Sequence, residues 1–162
     1  MIKHFFALCT VALLFTSCLK SSSSSTGCTY TESTFVAPAS EIAAVQGYCS
    51  SSHPSAIQHS SGLFYEITNP GTGTVTPGVC SVVTVKYSGY LTNGTKFDEN
   101  LTGVSFTLGA LILGWQKGIP LIKKGGSINL YIPPSLGYGS SSNGTIPANS
   151  ILVFNIQLVD VQ

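Results

Sequence analysis

The chain has 162 residues, room for one domain and a tail. Only 8% of them are charged, against about 25% in an ordinary protein, no arginine occurs, and the formal net charge is +1. No basic patch exists for phosphates, so nucleic acid is not an expected partner, and the neutral composition argues against strong electrostatic steering of charged substrates too.

Residues 1–17 read as a targeting segment. Lys3 and His4 form a short polar start, and Phe5 to Phe15 is apolar but too short for a stable bilayer span. Small residues before Cys18 resemble the lipobox of bacterial lipoproteins, although Phe15 stands where Leu is more usual. That resemblance implies diacylglyceryl transfer to the Cys18 thiol and a mature chain that starts there. Residues 18–37 then form a flexible tether, with polar low-complexity serines at 21–25. Leu19, and not Asp, follows Cys18, which favours the outer membrane over the inner, with the domain facing the periplasm.

Residues 38–61 form a helical extension. Ser40 is the expected cap and Glu41 suits the positive helix end. Ile42, Val45, Tyr48 and Cys49 recur at helical spacing and form its apolar face. His53 and His59 fall in a polar loop without partners at metal-ligand spacing, so they are expected to be solvated and no metal is expected. Removal of Cys9 and lipidation of Cys18 leave three cysteines, hence at most one internal bridge. Cys49 reads as a small core residue. Cys28 and Cys80 lie in turn-rich segments and are the expected pair, with the connectivity left open.

From Gly62 the pattern turns to strands, and residues 62–162 form the main domain. Leu63, Tyr65 and Ile67 alternate with Phe64 and Glu66, until Asn69-Pro70-Gly71 breaks the run. Val83, Val85 and Tyr87 alternate with Thr84 and Lys86, and Asn93-Gly94 is a strong hairpin signal. Ser105 to Leu108 reads as a short strand. Residues 112–119 allow a helix of no more than two turns, which Pro120 ends. Ile128, Leu130 and Ile132 alternate again, residues 133–150 form a long loop, and residues 151–161 form the last strand. Antiparallel strands with one short helix give an α+β domain.

The familiar polar chemistries have little material. No Gly-x-Ser-x-Gly elbow occurs, and Gly71-Thr-Gly73 lacks the helix and basic residue of a phosphate loop. The main domain holds only Glu66, Asp98, Glu99 and Asp160 as acids, so paired carboxylates are not expected. No cofactor is implied.

One set of motifs is more specific. Tyr87-Ser-Gly-Tyr leads through Asn93-Gly94 to Phe97-Asp98; Leu108-Gly109, Gly114-Trp115-Gln-Lys-Gly118, Tyr138-Gly139 and Ile151-Leu-Val-Phe154 follow in order. The pattern resembles the FK506-binding-protein (FKBP) family of peptidyl-prolyl cis-trans isomerases. The resemblance implies a twisted antiparallel sheet wrapped around a short α-helix, here with an N-terminal helical extension like that of secreted members. It implies an isomerase of X-Pro bonds that assists the folding of exported proteins. Its partners would be Pro-containing unfolded or exported polypeptides, and macrolides of the FK506 type would be possible ligands. The alternative is a chaperone that captures Pro segments with little turnover.

By the same resemblance, Trp115 is the floor of an apolar pocket, with Tyr87, Phe97 and Phe154 as walls and Leu111 and Ile112 as an aliphatic pair. Tyr138 donates a hydrogen bond, Asp98 polarises the site, and the backbone N–H of Ile146 contacts the ligand. Val104 stands where a second wall aromatic is usual, and the 139–145 loop is short. The first departure implies a looser pocket, and the two together imply lower activity or a shifted substrate preference.

Overall fold

The computed structural model describes residues 27–162. The leader, Cys18 and the serine run at 21–25 lie outside the described residues. Helix α1 spans Ala39–Ser52, and α2 spans Leu113–Gly118. The strands are β1 (Ile57–Gln58), β2 (Phe64–Asn69), β3 (Val82–Leu91), β4 (Lys96–Thr107), β5 (Ser127–Ile132) and β6 (Leu152–Val161). They form one antiparallel sheet in the order β1-β2-β5-β6-β3-β4.

Alternation decides which residues face the core. Val83 and Val85 of β3, Ile128, Leu130 and Ile132 of β5, and Phe154, Ile156 and Leu158 of β6 are buried on one face. Helix α2 lies across that face. Its close approach depends on Gly114 and Gly118, one turn apart. A Cβ at Gly114 would lie 2.5 Å from Ile132 Cγ2, and one at Gly118 would lie 2.5 Å from Leu130 Cδ1. The helix backbone therefore rests directly on β5 and turns Trp115 into the core.

The opposite face carries a second apolar layer. Phe64, Tyr131, Val153 and Tyr90 form a row across β2, β5, β6 and β3. Val45 and Cys49 of α1 pack onto it. Phe64 therefore serves the helical extension, which explains why both Leu63 and Phe64 are buried. Burial pushes the Cys49 thiol up to about 11, helped by the Glu66 charge, consistent with an inert core cysteine.

Polar contacts fix the extension. Glu41 accepts hydrogen bonds from the Ser135 backbone N–H (2.9 Å) and hydroxyl (2.7 Å). Glu66 accepts from Tyr131 (2.5 Å), Asn129 (3.3 Å) and Ser55. Burial alone would raise the Glu66 carboxyl, but these donors outweigh it and hold the group below the usual range.

Several expectations change. Pro38, not Ser40, is the residue before α1, and no side chain caps the helix. A proline there presets the backbone and leaves Ser40 inside the first turn. The two histidines are not simply solvated. His53 packs on Tyr131 at 4.5 Å between ring centroids, and His59 Nδ1 accepts from the Ser61 N–H. Residues 28–37 are not a free tether, because Cys28 is bonded to Cys80 and Ala37 is buried. The short strand expected at 105–108 is the end of the 12-residue β4, which stops at Thr107, and Leu108 opens a 3-10 turn at Leu108–Ala110. Polar side chains along the outer half of β4 hid its length. The short helix does end ahead of Pro120, at Gly118, and a separate 3-10 turn at Ile119–Leu121 follows it with Pro among its first residues.

The glycine contact between α2 and β5 is testable. Gly114→Ala should destabilise the protein by about 1–3 kcal/mol through overpacking, read as a lower urea midpoint with unchanged slope. A change under about 0.5 kcal/mol, the size of a surface substitution, would contradict the proposed backbone contact.

Candidate functional site

Strands β3, β4 and β6, helix α2 and the loop before β6 converge on one cavity of about 660 Å³. That volume suits a small ligand or a short peptide segment. The β3–β4 hairpin supplies one wall. Gly94 adopts a positive φ of 85°, its N–H bonds the Leu91 carbonyl, and the Asn93 side chain accepts from the Thr95 N–H. This tight turn sets Phe97 and Asp98 at the start of β4, beside Tyr87 on β3.

The cup is built from aromatic edges. Trp115, 4% exposed, is its floor. Three rings stand nearly perpendicular to the indole: Tyr87 at 5.1 Å and 80°, Phe154 at 5.2 Å and 88°, and Phe106 at 6.3 Å and 81°. Phe97 meets Phe154 edge-on at 5.4 Å. Such edge-to-face pairs each contribute about 0.5–1.5 kcal/mol beyond area burial, so the walls are mutually fixed. The Trp115 Nε1–H has no acceptor among the described residues.

Polar groups are few. The Tyr87 hydroxyl donates to Asp98 Oδ2 at 2.6 Å. Burial first, then the Asp98 carboxylate, pushes the Tyr87 phenol up to about 12, so it remains a donor at any ordinary pH. Tyr138 stands at the rim, 38% exposed. Leu111 and Ile112 line the side leading into α2. No histidine and no lysine lines the cavity.

The cavity brings together Tyr87, Phe97, Asp98, Leu111, Ile112, Trp115, Tyr138, Ile146 and Phe154. One expected contact is not available. The Ile146 N–H donates to the Asn143 carbonyl at 2.9 Å, and the Asn143 N–H returns a bond of 2.9 Å to Ile146. The shortened loop closes on itself with a tight turn, which uses the donor expected to meet a ligand. Ile146 contributes its buried side chain instead. Ile112 lines the cup, and its N–H has no acceptor among the described residues, as befits a residue just ahead of a helix.

Phe106 was not among the expected residues. Val104 packs against the core, and Phe106, two residues on, lines the cup and faces Trp115. Val104 still offers no aromatic, and Phe106, at the next inward position of β4, adds a wall ring that was not in the expected set. Strand alternation from Val104 was the signal that could have found it.

Residues 73–159, more than half of the chain, match the family model described as FKBP-type peptidyl-prolyl cis-trans isomerase. The chain is 48% identical over 106 residues to "FKBP-type peptidyl-prolyl cis-trans isomerase FkpA" of Buchnera aphidicola subsp. Schizaphis graminum, covering 64% of this chain and 42% of that one. It is 43% identical over 106 residues to the protein of that name from Escherichia coli K12, covering 64% of this chain and 39% of that one. The chain thus spans about two fifths of the length of these curated relatives. Among solved structures, FkpA from Escherichia coli aligns with a TM-score of 0.69 at 38% identity, over 76% of this chain and 60% of that one. A peptidyl-prolyl cis-trans isomerase from Pseudomonas syringae pv. tomato aligns with a TM-score of 0.67 at 28% identity, over 78% of this chain and 97% of that one. With this fold, this cup and these matches, the chain belongs to the FKBP-type peptidyl-prolyl cis-trans isomerase family.

Proposed function

We propose that the protein isomerises X-Pro bonds in unfolded or newly exported polypeptides, within the aromatic cup over Trp115. The observation that carries this reading is the cup's composition: an indole floor, aromatic walls and only three titratable side chains, Tyr87, Asp98 and Tyr138. The uncatalysed barrier is about 18–20 kcal/mol and reflects lost amide resonance. A planar amide is more dipolar than a twisted one. An apolar cup therefore favours the twisted amide relative to the planar one, without any proton moving.

The residues take roles that follow from their chemistry. Trp115 underlies the proline ring, and Tyr87, Phe97, Phe106 and Phe154 surround it. Leu111 and Ile112 form an aliphatic lip, and the Ile112 N–H is available to a substrate carbonyl. Tyr138 offers a phenol donor from the rim. Asp98, held by Tyr87, presents fixed negative charge beside the reacting amide. FK506-type macrolides are ligands for the same cup.

A refolding assay limited by prolyl isomerisation tests this directly. Catalytic amounts of the protein should accelerate the slow phase, and a macrolide pocket ligand should abolish the acceleration. Phe97→Ala should lower kcat/KM with the fold intact. Tyr138→Phe should cost about 0.5–1.5 kcal/mol in transition-state stabilisation, the net worth of one hydrogen bond. Asp98→Asn should retain measurable turnover. The rate should be nearly flat between about pH 6 and 8, because histidine is the side chain that ordinarily titrates there and none lines the cup. A bell-shaped profile near neutrality, or complete loss in folded Asp98→Asn, would point to general acid–base catalysis. Binding of Pro peptides without acceleration would make the protein a chaperone.

The place of action follows from the N-terminal segment, as part of the same proposal. Cys18 carries a diacylglyceryl anchor, and residues 19–27 hold the domain on the periplasmic side of the envelope, at the outer membrane. Cys18→Ala should lose fatty-acid labelling and leave the membrane fraction. Persistence of both properties in the variant would refute the anchor.

A further inference from the structure

The stretch from Cys28 to Ala37 touches Gly109 and α2, two elements that lead into the cup, although none of its residues lines the cavity. It is pinned at three points. Cys28 is bonded to Cys80, with Cα atoms 5.8 Å apart. The Lys117 ammonium on α2 donates to the Ser33 carbonyl. The Ala37 N–H donates to the Ser61 carbonyl at 2.9 Å. Between these pins, the Tyr30 ring sits on Gly109 so closely that any Cβ at Gly109 would overlap it.

Gly109 opens the segment that forms the cup's aliphatic lip. Its N–H donates to Val79 at 2.7 Å, and the Leu108 N–H donates to Ser81 at 3.0 Å, so both anchors flank Cys80. On the other side, Gln116 Nε2 donates to the carbonyls of Gly109 (3.2 Å) and Leu111 (2.7 Å). The residues next in line, Ala110, Leu111 and Ile112, all line the cavity. The lip therefore has two supports. Gln116 holds it from α2, and the strap covers it from behind.

We infer that Tyr30, held by the Cys28–Cys80 bridge, is a positioning residue for the substrate lip Ala110–Ile112. The inference rests on the isomerase reading of the cup and names the element that sets its width. Leu111 and Ile112 belong to no strand and follow a single 3-10 turn, so their position depends on such local supports as Gln116 on one side and Tyr30 behind Gly109. A ring pressed on Gly109 removes the outward path, and glycine is the one residue that admits a ring so close. The Tyr30 hydroxyl has no partner among the described residues, so the ring alone carries the effect. The bridge closes a chain separation of 52 residues and keeps the strap in place.

Three full-length variants test this: Tyr30→Ala, Tyr30→Phe, and the double Cys28→Ser/Cys80→Ser. Two readouts are needed: amide hydrogen exchange, and steady-state kinetics on an X-Pro peptide. Tyr30→Ala should speed exchange at Gly109 and Leu111, whose N–H groups bond Val79 and Leu108, while β5 and β6 keep their protection. It should raise KM about tenfold with kcat within about twofold, because the lip binds substrate and twists no bond. The double serine variant should behave alike, and Tyr30→Phe should match the wild type. Unchanged exchange at Gly109 and Leu111 in both Tyr30→Ala and the double variant would overturn the inference. So would exchange that rises equally in β5 and β6, which marks a merely structural role. Exchange needs no turnover, so a protein that fails to catalyse leaves this test intact and fails only the functional proposal.

Discussion

The contact on which the site depends is the backbone-to-sheet approach of α2 on β5. Two glycines one turn apart leave no side chain between the helix and Leu130 and Ile132. Trp115, next to Gly114, is thereby pressed to the level at which Tyr87, Phe106 and Phe154 can all meet it edge-on. A thicker helix–sheet seam would lift the indole into the cavity and fill it. The cup thus exists because the helix is thin where it meets the sheet. This also explains how so short a helix persists. Six residues are marginal alone, and packing rather than propensity holds them.

The two faces of the sheet divide the labour. The inner face carries α2 and the cup, while the outer face is closed by α1 over Phe64, Tyr131 and Val153. Charges are scarce, yet two of the acids sit at this outer layer: Glu41 ties α1 to Ser135, and Glu66 gathers Ser55, Asn129 and Tyr131. Ser135 lies only three residues before Tyr138 of the cup rim. The extension therefore bears on the base of the loop that supplies one side of the site.

Much of this was legible in residues. Strict alternation in β3 and β5 marked their inward faces, Asn93-Gly94 marked the hairpin, and the spacing of Gly114, Trp115 and Gly118 marked α2. The walls of the cup could be placed from motif order. What escaped were features set by distance rather than pattern. Polar residues masked the length of β4, while Phe106 lay within the recognised stretch at 105–108 and its inward position needed alternation from Val104. The Ile146 donor is used within a turn that only a shortened loop closes. The strap at 28–37 read as tether because it continues the serine run and shows no strand or helix period, but three pins hold it. Tyr30 against Gly109 has no local signature at all, since the two residues meet only in the folded chain.

Trp115 is the only tryptophan in the sequence, so intrinsic fluorescence reports the floor of the cup without labels. The direct measurement is a titration of the intact protein with an X-Pro peptide and with its X-Ala counterpart, followed by indole emission. Saturable change with the proline peptide, absent with the alanine peptide and displaced by a macrolide, is the result expected if the proline ring rests on Trp115. Accelerated proline-limited refolding with no emission change at saturating proline peptide would contradict the account and place the reacting bond elsewhere on the molecule.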